Sequence, residues 1–234
     1  MANLIGKIKD FYLNPKIKRT NLQENYTKEE IEEYLKCSED PVYFIEKYVK
    51  INSLDHGFIP FKLRGYQEDL IKVYHKENRV ILLSPRQSGK TISTAAFILW
   101  YVFFNPDKTV AILANKAEQA RDLLRKVKEA YEMLPKWLQQ GVKVWNVGSI
   151  KLENGSMVIA SSTSSTAIRG RSISTLIIDE RAFIPQNLWD SFLSSVYPTI
   201  SSSKTSRVIY VSTFNGLNHF FQDWQKANSS DPSV

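Results

Sequence analysis

One short stretch, residues 79–91, constrains the fold more than any other part of the chain; it reads Arg-Val-Ile-Leu-Leu-Ser-Pro-Arg-Gln-Ser-Gly-Lys-Thr. The apolar run at 80–83 predicts a buried strand, and the apolar segment 92–104 predicts a helix directly after the loop. A strand, a loop that ends in Gly-Lys-Thr and a helix follow the order of a phosphate-binding P-loop. In such loops backbone N–H groups face phosphate oxygens, and the helix N-terminus adds its positive dipole end. The stretch therefore predicts an α/β fold that binds a nucleoside triphosphate.

The residue types of this loop suit a triphosphate. Gly89 permits the turn, Lys90 places a cation at the β- and γ-phosphates, and the Thr91 hydroxyl is a ligand for Mg²⁺. Ser84 departs from the usual pattern, which has glycine at that position. A Gly-Lys-Thr turn can also arise by chance, so a second site is needed. The predicted phosphate loop comprises Ser84, Pro85, Arg86, Gln87, Ser88, Gly89, Lys90 and Thr91.

The segment 174–180 supplies that second site. Its apolar run, 176–178, is typical of a buried parallel strand. Two carboxylates, Asp179 and Glu180, follow at the C-terminal end, where ligands bind in open α/β sheets. We expect Asp179 to hold Mg²⁺ and Glu180 to act as the general base that polarises the attacking water. An ordinary solvated Asp-Glu pair is the alternative, but its occurrence together with the phosphate loop favours triphosphate hydrolysis.

The rest of the chain predicts the architecture around these two sites. Thr27 and Glu30 form a capping box, Pro41 suits the first turn of a second helix, and residues 51–60 are expected to be a loop. From there strands alternate with helices, which indicates a mostly parallel sheet. The predicted class is a P-loop NTPase of the RecA-like, ASCE type. Residues 1–60 would form an N-terminal arm and helical appendage, and residues 61–234 the ATPase core.

Composition narrows the possible partners and locations. The 234 residues carry a net charge of +7, which favours an acidic partner such as nucleic acid. The single cysteine, Cys37, cannot form an internal disulfide. No apolar run approaches the length of a membrane helix, and the N-terminus lacks the apolar region of a signal peptide. We therefore expect a protein that is neither secreted nor in a membrane.

Five segments in a fixed order resemble the large terminase subunit of tailed bacteriophages, in its T-even-like branch. They are residues 40–48, 63–67, 84–91, 177–184 and 212–220. In that family the phosphate loop tolerates a first residue other than glycine and carries an Arg-Gln pair, which accounts for Ser84. The resemblance implies the N-terminal ATPase part of a motor that drives double-stranded DNA into the procapsid. It also implies ATP and Mg²⁺ as ligands, a portal protein and a small terminase subunit as partners, and a homo-oligomeric ring at the portal vertex in the host cytoplasm.

The resemblance assigns further roles to individual residues. Tyr66 and Gln67 would recognise adenine, since an amide offers a donor and an acceptor together. Arg86 would act as a sensor or finger at the γ-phosphate. The simpler alternatives are an exposed residue at a helix start and a salt-bridged loop residue. The coupling motif, which would pass the state of the γ-phosphate to a moving subdomain, comprises Ser212, Thr213 and Asn215.

Several residues of the chain differ from the family pattern or allow more than one role. Arg181 follows the two carboxylates directly, and we expect it to pair with Glu180 and lower its basicity. Arg169 and Arg171 could contact a neighbouring subunit or DNA, or belong to a solvated loop. The chain carries no carboxylate cluster of a nuclease, so we expect no DNA cleavage from it. A helicase-like nucleic-acid-dependent ATPase and a nucleotide-binding fragment without turnover remain as alternative functions.

Overall fold

The computed structural model describes residues 14–53, 55–164, 168, 170–201 and 205–229. The strands of this part are β1 (Lys50–Ser53), β2 (Gly57–Pro60), β3 (Arg79–Leu83), β4 (Thr109–Ala114), β5 (Val142–Asn146), β6 (Ser149–Leu152), β7 (Met157–Ser162), β8 (Thr175–Asp179) and β9 (Arg207–Ser212). The helices are α1 (Lys28–Glu39), α2 (Pro41–Tyr48), α3 (Gly65–Lys76), α4 (Lys90–Phe104), α5 (Ala117–Glu132), α6 (Gln186–Ser201) and α7 (His219–Asn228). A 3-10 turn, Arg181–Phe183, follows β8.

Seven of these strands form one sheet in the order β3-β9-β8-β4-β7-β6-β5. The first five are parallel, and the β6 and β5 strands extend the sheet as antiparallel neighbours. The prediction of a mostly parallel sheet flanked by helices is confirmed. Because β9 lies between β3 and β8, the register sets Leu83 beside Ser212 and Asp179 beside Val211. The phosphate loop, the two carboxylates and the coupling motif therefore leave the same edge of the sheet.

Each face of the sheet buries its own apolar cluster. Along β4, Val110, Ile112 and Ala114 face one cluster, while Ala111 and Leu113 face the other. This alternation follows from the period of two in a strand. The first cluster contains nearly the whole of α4, which is apolar on all sides, together with the inner face of α5. The second cluster packs against α6.

The N-terminal helices begin at the caps that the sequence predicts. Glu30 N donates to Thr27 Oγ1 at 3.2 Å, and Thr27 N donates to Glu30 Oε2 at 2.9 Å, which completes the capping box. Both helices pack against the core, where Trp100 Nε1 donates to the carbonyl oxygen of Cys37 at 2.8 Å. Burial raises the pKa of Cys37 to about 12, so its thiol stays protonated and unreactive.

The sequence-based expectation for residues 51–60 is wrong. Residues 51–60 do not form a loop, because β1 and β2 pair as an antiparallel hairpin in which Lys50 lies opposite Pro60. Gly57, with φ of +66°, begins the return strand, and Pro60 is tolerated because this two-stranded sheet has open edges. Within the part of the chain described above, no helix combines the length and the apolar character needed to cross a membrane.

Candidate nucleotide site

The phosphate loop connects β3 to α4 and is closed by a pair of serines. Ser84 N donates to the carbonyl oxygen of Ser212 at 3.1 Å, which attaches the start of the loop to the end of β9. The hydroxyl groups of Ser84 and Ser88 form a hydrogen bond of 2.6 Å across the loop. This bond explains why serine suits the position where the usual pattern has glycine. Lys90 and Thr91 then lie in the first turn of α4.

Gly89 is the position where the loop requires glycine. Its φ is +79°, and a Cβ atom at this residue would lie 2.4 Å from Gln67 Nε2. The Gln67 side chain is buried against the loop: its Nε2 donates to the carbonyl oxygen of Ser88 at 3.3 Å, and its Oε1 accepts from Arg64 N at 3.0 Å. The Tyr66 hydroxyl donates to the same carbonyl oxygen. Gln67 thus uses one amide hydrogen and one lone pair of its amide oxygen for hydrogen bonds within the chain. Recognition of adenine by the remaining amide hydrogen and lone pair stays a prediction.

The two carboxylates at the end of β8 have different surroundings. Asp179 is 7% exposed, and its Oδ1 accepts from Glu180 N at 3.1 Å. Glu180 has left-handed backbone angles, φ 49° and ψ 44°. Its carboxylate lies 3.5 Å from Lys90 Nζ and accepts from Thr213 Oγ1 at 3.4 Å. The fold therefore brings together three predicted site residues from three separate segments.

Burial raises the pKa of the Asp179 carboxyl group to about 6. Repulsion from Glu180 also raises this pKa, and the attraction of Lys90 lowers it. Carboxylate and hydroxyl oxygens are the ligands that Mg²⁺ prefers, and this ion is usually bound by one or two carboxylates together with substrate phosphates. In the described ranges no group of three or more His, Cys, Asp or Glu side chains could hold a metal alone. The donor set of Asp179 and Thr91 therefore fits a Mg²⁺ ion that arrives with a nucleotide.

Asp179→Asn is expected to stabilise the metal-free protein at neutral pH. The folded-state pKa of Asp179 is raised above its unfolded value of 3.8, so ionisation destabilises the fold. This destabilisation is absent below pH 3.8, grows as the pH rises to about 6 and is complete above that value. The variant should gain about 1–3 kcal/mol at pH 7.5 and no advantage at pH 3.5. Thermal melts in a chelator measure it, with Asp55→Asn as an exposed control; equal melting temperatures at pH 7.5 would contradict it.

The expected ion pair between Arg181 and Glu180 is wrong. Arg181 is fully buried, its Cζ lies 3.7 Å from the centre of the Trp189 ring, and its Nη2 donates to Asp223 Oδ2 at 3.1 Å. Because the backbone is left-handed at Glu180 and a 3-10 turn follows it, the Glu180 and Arg181 side chains point in different directions. Glu180 faces the nucleotide loop, and Arg181 faces the core between the sheet and α6.

The coupling motif contacts both halves of the site. Besides the bond from Ser84 N to its carbonyl oxygen, Ser212 accepts a hydrogen bond from Ala182 N at its Oγ, 3.0 Å away. The Asn215 side chain donates to the carbonyl oxygen of Ala182 at 3.2 Å, and Asn218 donates to the same atom at 2.9 Å. Asn218, which also caps α7, has no place in the predicted motif. Its capping pattern ahead of Phe220 is the sequence signal that could have identified it.

A cleft of about 340 Å³ opens beside these residues. Its lining comprises Arg86, Gln87, Lys90, Gln119, Glu180 and Phe183. Gln119, in the first turn of α5, belongs to no motif, and Phe183 lies in the segment 177–184 but had no predicted role. Arg86 and Pro85 are exposed, and across the described residues Arg86 forms no salt bridge.

Arg171, in the polar loop, does not line this cleft. Arg171 is exposed, and its guanidinium contacts Met157 Sδ at 3.9 Å. Arg169 lies outside the described residues. Neither the contact to a neighbouring subunit nor the contact to DNA expected for Arg171 gains support from this geometry.

Several solved structures are similar in fold to this chain. The HK97 bacteriophage large terminase has a similar structure, with a TM-score of 0.67 and 20% identity over 83% of this chain and 42% of that protein. The Thermus phage P74-26 large terminase ATPase domain follows with a TM-score of 0.54 and 23% identity over 69% of each chain. The UvsW helicase from bacteriophage T4 also matches, with a TM-score of 0.52 and 11% identity over 80% of this chain and 64% of the helicase. At these identities the likenesses show a shared fold.

The sequence itself distinguishes among these relatives. Residues 81–233, well over half of the chain, match the family model described as terminase large subunit, T4likevirus-type, N-terminal. The match contains the phosphate loop, the two carboxylates and the coupling motif. This chain spans less than half the length of the HK97 protein. It belongs to the T4-like family of large terminase subunits, and it corresponds to their N-terminal region.

Proposed function

We propose that this chain is the ATPase of a viral DNA-packaging motor, which couples ATP hydrolysis to the translocation of double-stranded DNA into a procapsid. The observation that carries the proposal is the meeting of Lys90, Glu180 and Thr213 within 3.5 Å contacts at one sheet edge. These residues come from the phosphate loop, the acidic strand end and the coupling motif of a chain that belongs to the terminase family. The site thus contains a phosphate-binding cation, a candidate base and a candidate sensor.

The phosphate loop would bind the triphosphate. Its backbone N–H groups and the N-terminus of α4 favour an anion, and Lys90 neutralises the β- and γ-phosphates. The Thr91 hydroxyl and the Asp179 carboxylate would hold Mg²⁺, which neutralises charge on the phosphate oxygens when bound. Arg86 is exposed on the loop, so its guanidinium is free to turn toward the γ-phosphate from within the same subunit.

Glu180 would act as the general base. Its carboxylate lies 3.5 Å from Lys90 Nζ, so the two side chains form an ion pair. A γ-phosphate attracts Lys90 more strongly than one carboxylate does, because it carries more negative charge. When Lys90 turns to the phosphate, the Glu180 carboxylate becomes available to orient a water molecule and to accept its proton.

The coupling motif would report this change to the rest of the protein. Thr213 donates to Glu180, while Ser212 and Asn215 contact the 3-10 turn that follows it. A change in the position of Glu180 therefore reaches α7 through hydrogen bonds rather than through a long path. Such a connection suits a motor in which the γ-phosphate state sets the position of a neighbouring subdomain.

The proposed partners follow from the family and not from contacts in this chain. They are double-stranded DNA, a portal protein, a small terminase subunit and further copies of the chain in a ring at the portal vertex in the host cytoplasm. The net charge of +7 is compatible with DNA as the partner. We expect no nuclease activity from this chain.

Steady-state phosphate release, measured with and without double-stranded DNA, tests the proposal. We expect ATP hydrolysis that DNA accelerates and that stops without Mg²⁺. Nucleotide binding without phosphate release, even with DNA and a portal protein present, would instead support a binding fragment. Unwinding of a short duplex by the isolated chain would favour the helicase-like function.

Gln67→Ala is expected to lower the preference for ATP over GTP. The substitution removes the amide groups that remain for adenine, and it also removes the hydrogen bonds that Gln67 makes with the carbonyl oxygen of Ser88 and with Arg64 N, so affinity for both nucleotides should fall. Competition binding with ATP and GTP measures both effects. Glu68→Ala, on the same helix with a side chain that is 43% exposed, is the control. An equal loss of affinity for the two nucleotides would leave Gln67 with the loop contact alone.

A further inference from the structure

The residue that follows the candidate base Glu180 in the sequence is a buried arginine, Arg181. Arg181 is 0% exposed, and within the described chain its Nε and Nη1 atoms have no hydrogen-bond partner. One carboxylate, Asp223 on α7, pairs with the guanidinium, and two aromatic rings, Trp189 on α6 and Tyr210 on β9, have their centres 3.7 and 5.9 Å from its Cζ. A buried charge is expensive unless it is fully paired, so an apolar residue would serve the core better than this arginine. The contacts therefore call for a role other than stability.

The backbone of the preceding residue, Glu180, also has an energetically unfavourable conformation. Glu180 is a non-glycine residue in the left-handed region, with φ 49° and ψ 44°. Such a conformation persists where the surrounding structure over-determines it, and it is frequent at functional sites. The residues that follow provide this constraint. Arg181 is clamped at its guanidinium, and Ala182 is bonded at both its N–H and its carbonyl oxygen.

We infer that Arg181 is a positioning residue: held by Trp189 and Asp223, it fixes the left-handed backbone of Glu180 and so aims that carboxylate at the nucleotide cleft. Without the clamp, residue 180 would relax to an ordinary backbone conformation, and its carboxylate would leave Lys90 and Thr213. Because Asp223 belongs to α7, the clamp also makes the aim of Glu180 depend on the position of that helix. The inference rests on the proposed function, in which Glu180 is the base.

Melting temperatures test the backbone role without any turnover. Glu180→Gly and Glu180→Ala both remove the carboxylate, but only glycine accepts the left-handed conformation without strain. In the otherwise native chain the glycine variant is expected to melt about 2–4 °C above the alanine variant. In an Asp223→Asn background this advantage should disappear, and Trp189→Phe provides a second background if the first does not fold. An equal advantage in both backgrounds, or none in the native chain, overturns the inference.

Turnover tests the catalytic consequence. Asp223→Asn is expected to lower kcat by about 10- to 100-fold, since small misplacements of a catalytic group have effects of this size, while KM for ATP stays within about twofold. Asp223→Glu, which keeps the charge, should restore most of the rate. The matched control is Asp190→Asn: Asp190 on α6 also attracts the guanidinium, but its carboxylate accepts its hydrogen bond from Gln186. A raised KM with unchanged kcat, or an equal effect of the control, overturns the inference.

The two measurements separate this inference from the function on which it rests. If the native chain binds ATP but releases no phosphate under any condition, the proposed function fails, and the melting comparison still decides whether Arg181 sets the backbone of Glu180. If the native chain turns over and Asp223→Asn does so equally well, the inference fails while the function stands.

Discussion

Glu180→Gln is expected to bind ATP as the native chain does and to hydrolyse it about 10²- to 10⁴-fold more slowly. Glutamine keeps the size of the side chain, and its amide oxygen can still accept from Thr213 Oγ1, as the carboxylate does at 3.4 Å. What it loses is the ability to accept a proton from the attacking water. Phosphate release at saturating ATP and a separate ATP titration measure the two quantities.

The neighbouring carboxylate makes this experiment sharper. Asp179, whose pKa is raised to about 6 by burial, is the other candidate for a base at this strand end. If Glu180→Gln hydrolyses ATP within about threefold of the native rate, Glu180 is not the base and Asp179 takes its place as candidate. Glu129→Gln, on α5, controls for the loss of one carboxylate elsewhere.

The sequence alone was sufficient to predict those parts of the site whose residues lie close together in the chain. The phosphate loop and the acidic strand end each form within a dozen residues, so residue type and order predict them. The parallel sheet then follows from alternating strands and helices, and the observed strand order β3-β9-β8 brings Lys90, Glu180 and Thr213 together. Knowledge of the strand order was not needed to name these residues.

The sequence was insufficient where a partner lies far along the chain. Arg181 was expected to pair with its neighbour, but its carboxylate partner, Asp223, is 42 residues away. Only the tertiary fold shows that the left-handed backbone turns adjacent side chains in opposite directions. Gln119 enters the cleft for the same reason, since the packing of α5 places it there. The hairpin of β1 and β2 was missed because its glycine and proline were interpreted as loop residues.

Lys90→Ala is expected to weaken ATP binding by about 10²- to 10³-fold, because truncating a buried member of a charge pair removes 2–5 kcal/mol or more. The Lys90 side chain is 8% exposed and has Glu180 as its ion-pair partner, so it is already largely removed from water before a phosphate arrives. Turnover at sub-saturating ATP should fall at least as far as affinity does, in contrast to Glu180→Gln, where affinity stays and turnover falls.

Two further variants and a melting measurement separate this loss of phosphate binding from a loss of structure. Lys90→Met keeps most of the side-chain volume and should bind ATP as poorly as Lys90→Ala, since both lack the cation. Lys76→Ala removes one positive charge from a side chain that is 84% exposed, and it should bind like the native chain. Melting without nucleotide identifies any variant that is unfolded. If Lys90→Met binds ATP within about threefold of the native affinity, the cation does not hold the phosphates, and the backbone N–H groups of the loop and the N-terminus of α4 must bind them instead.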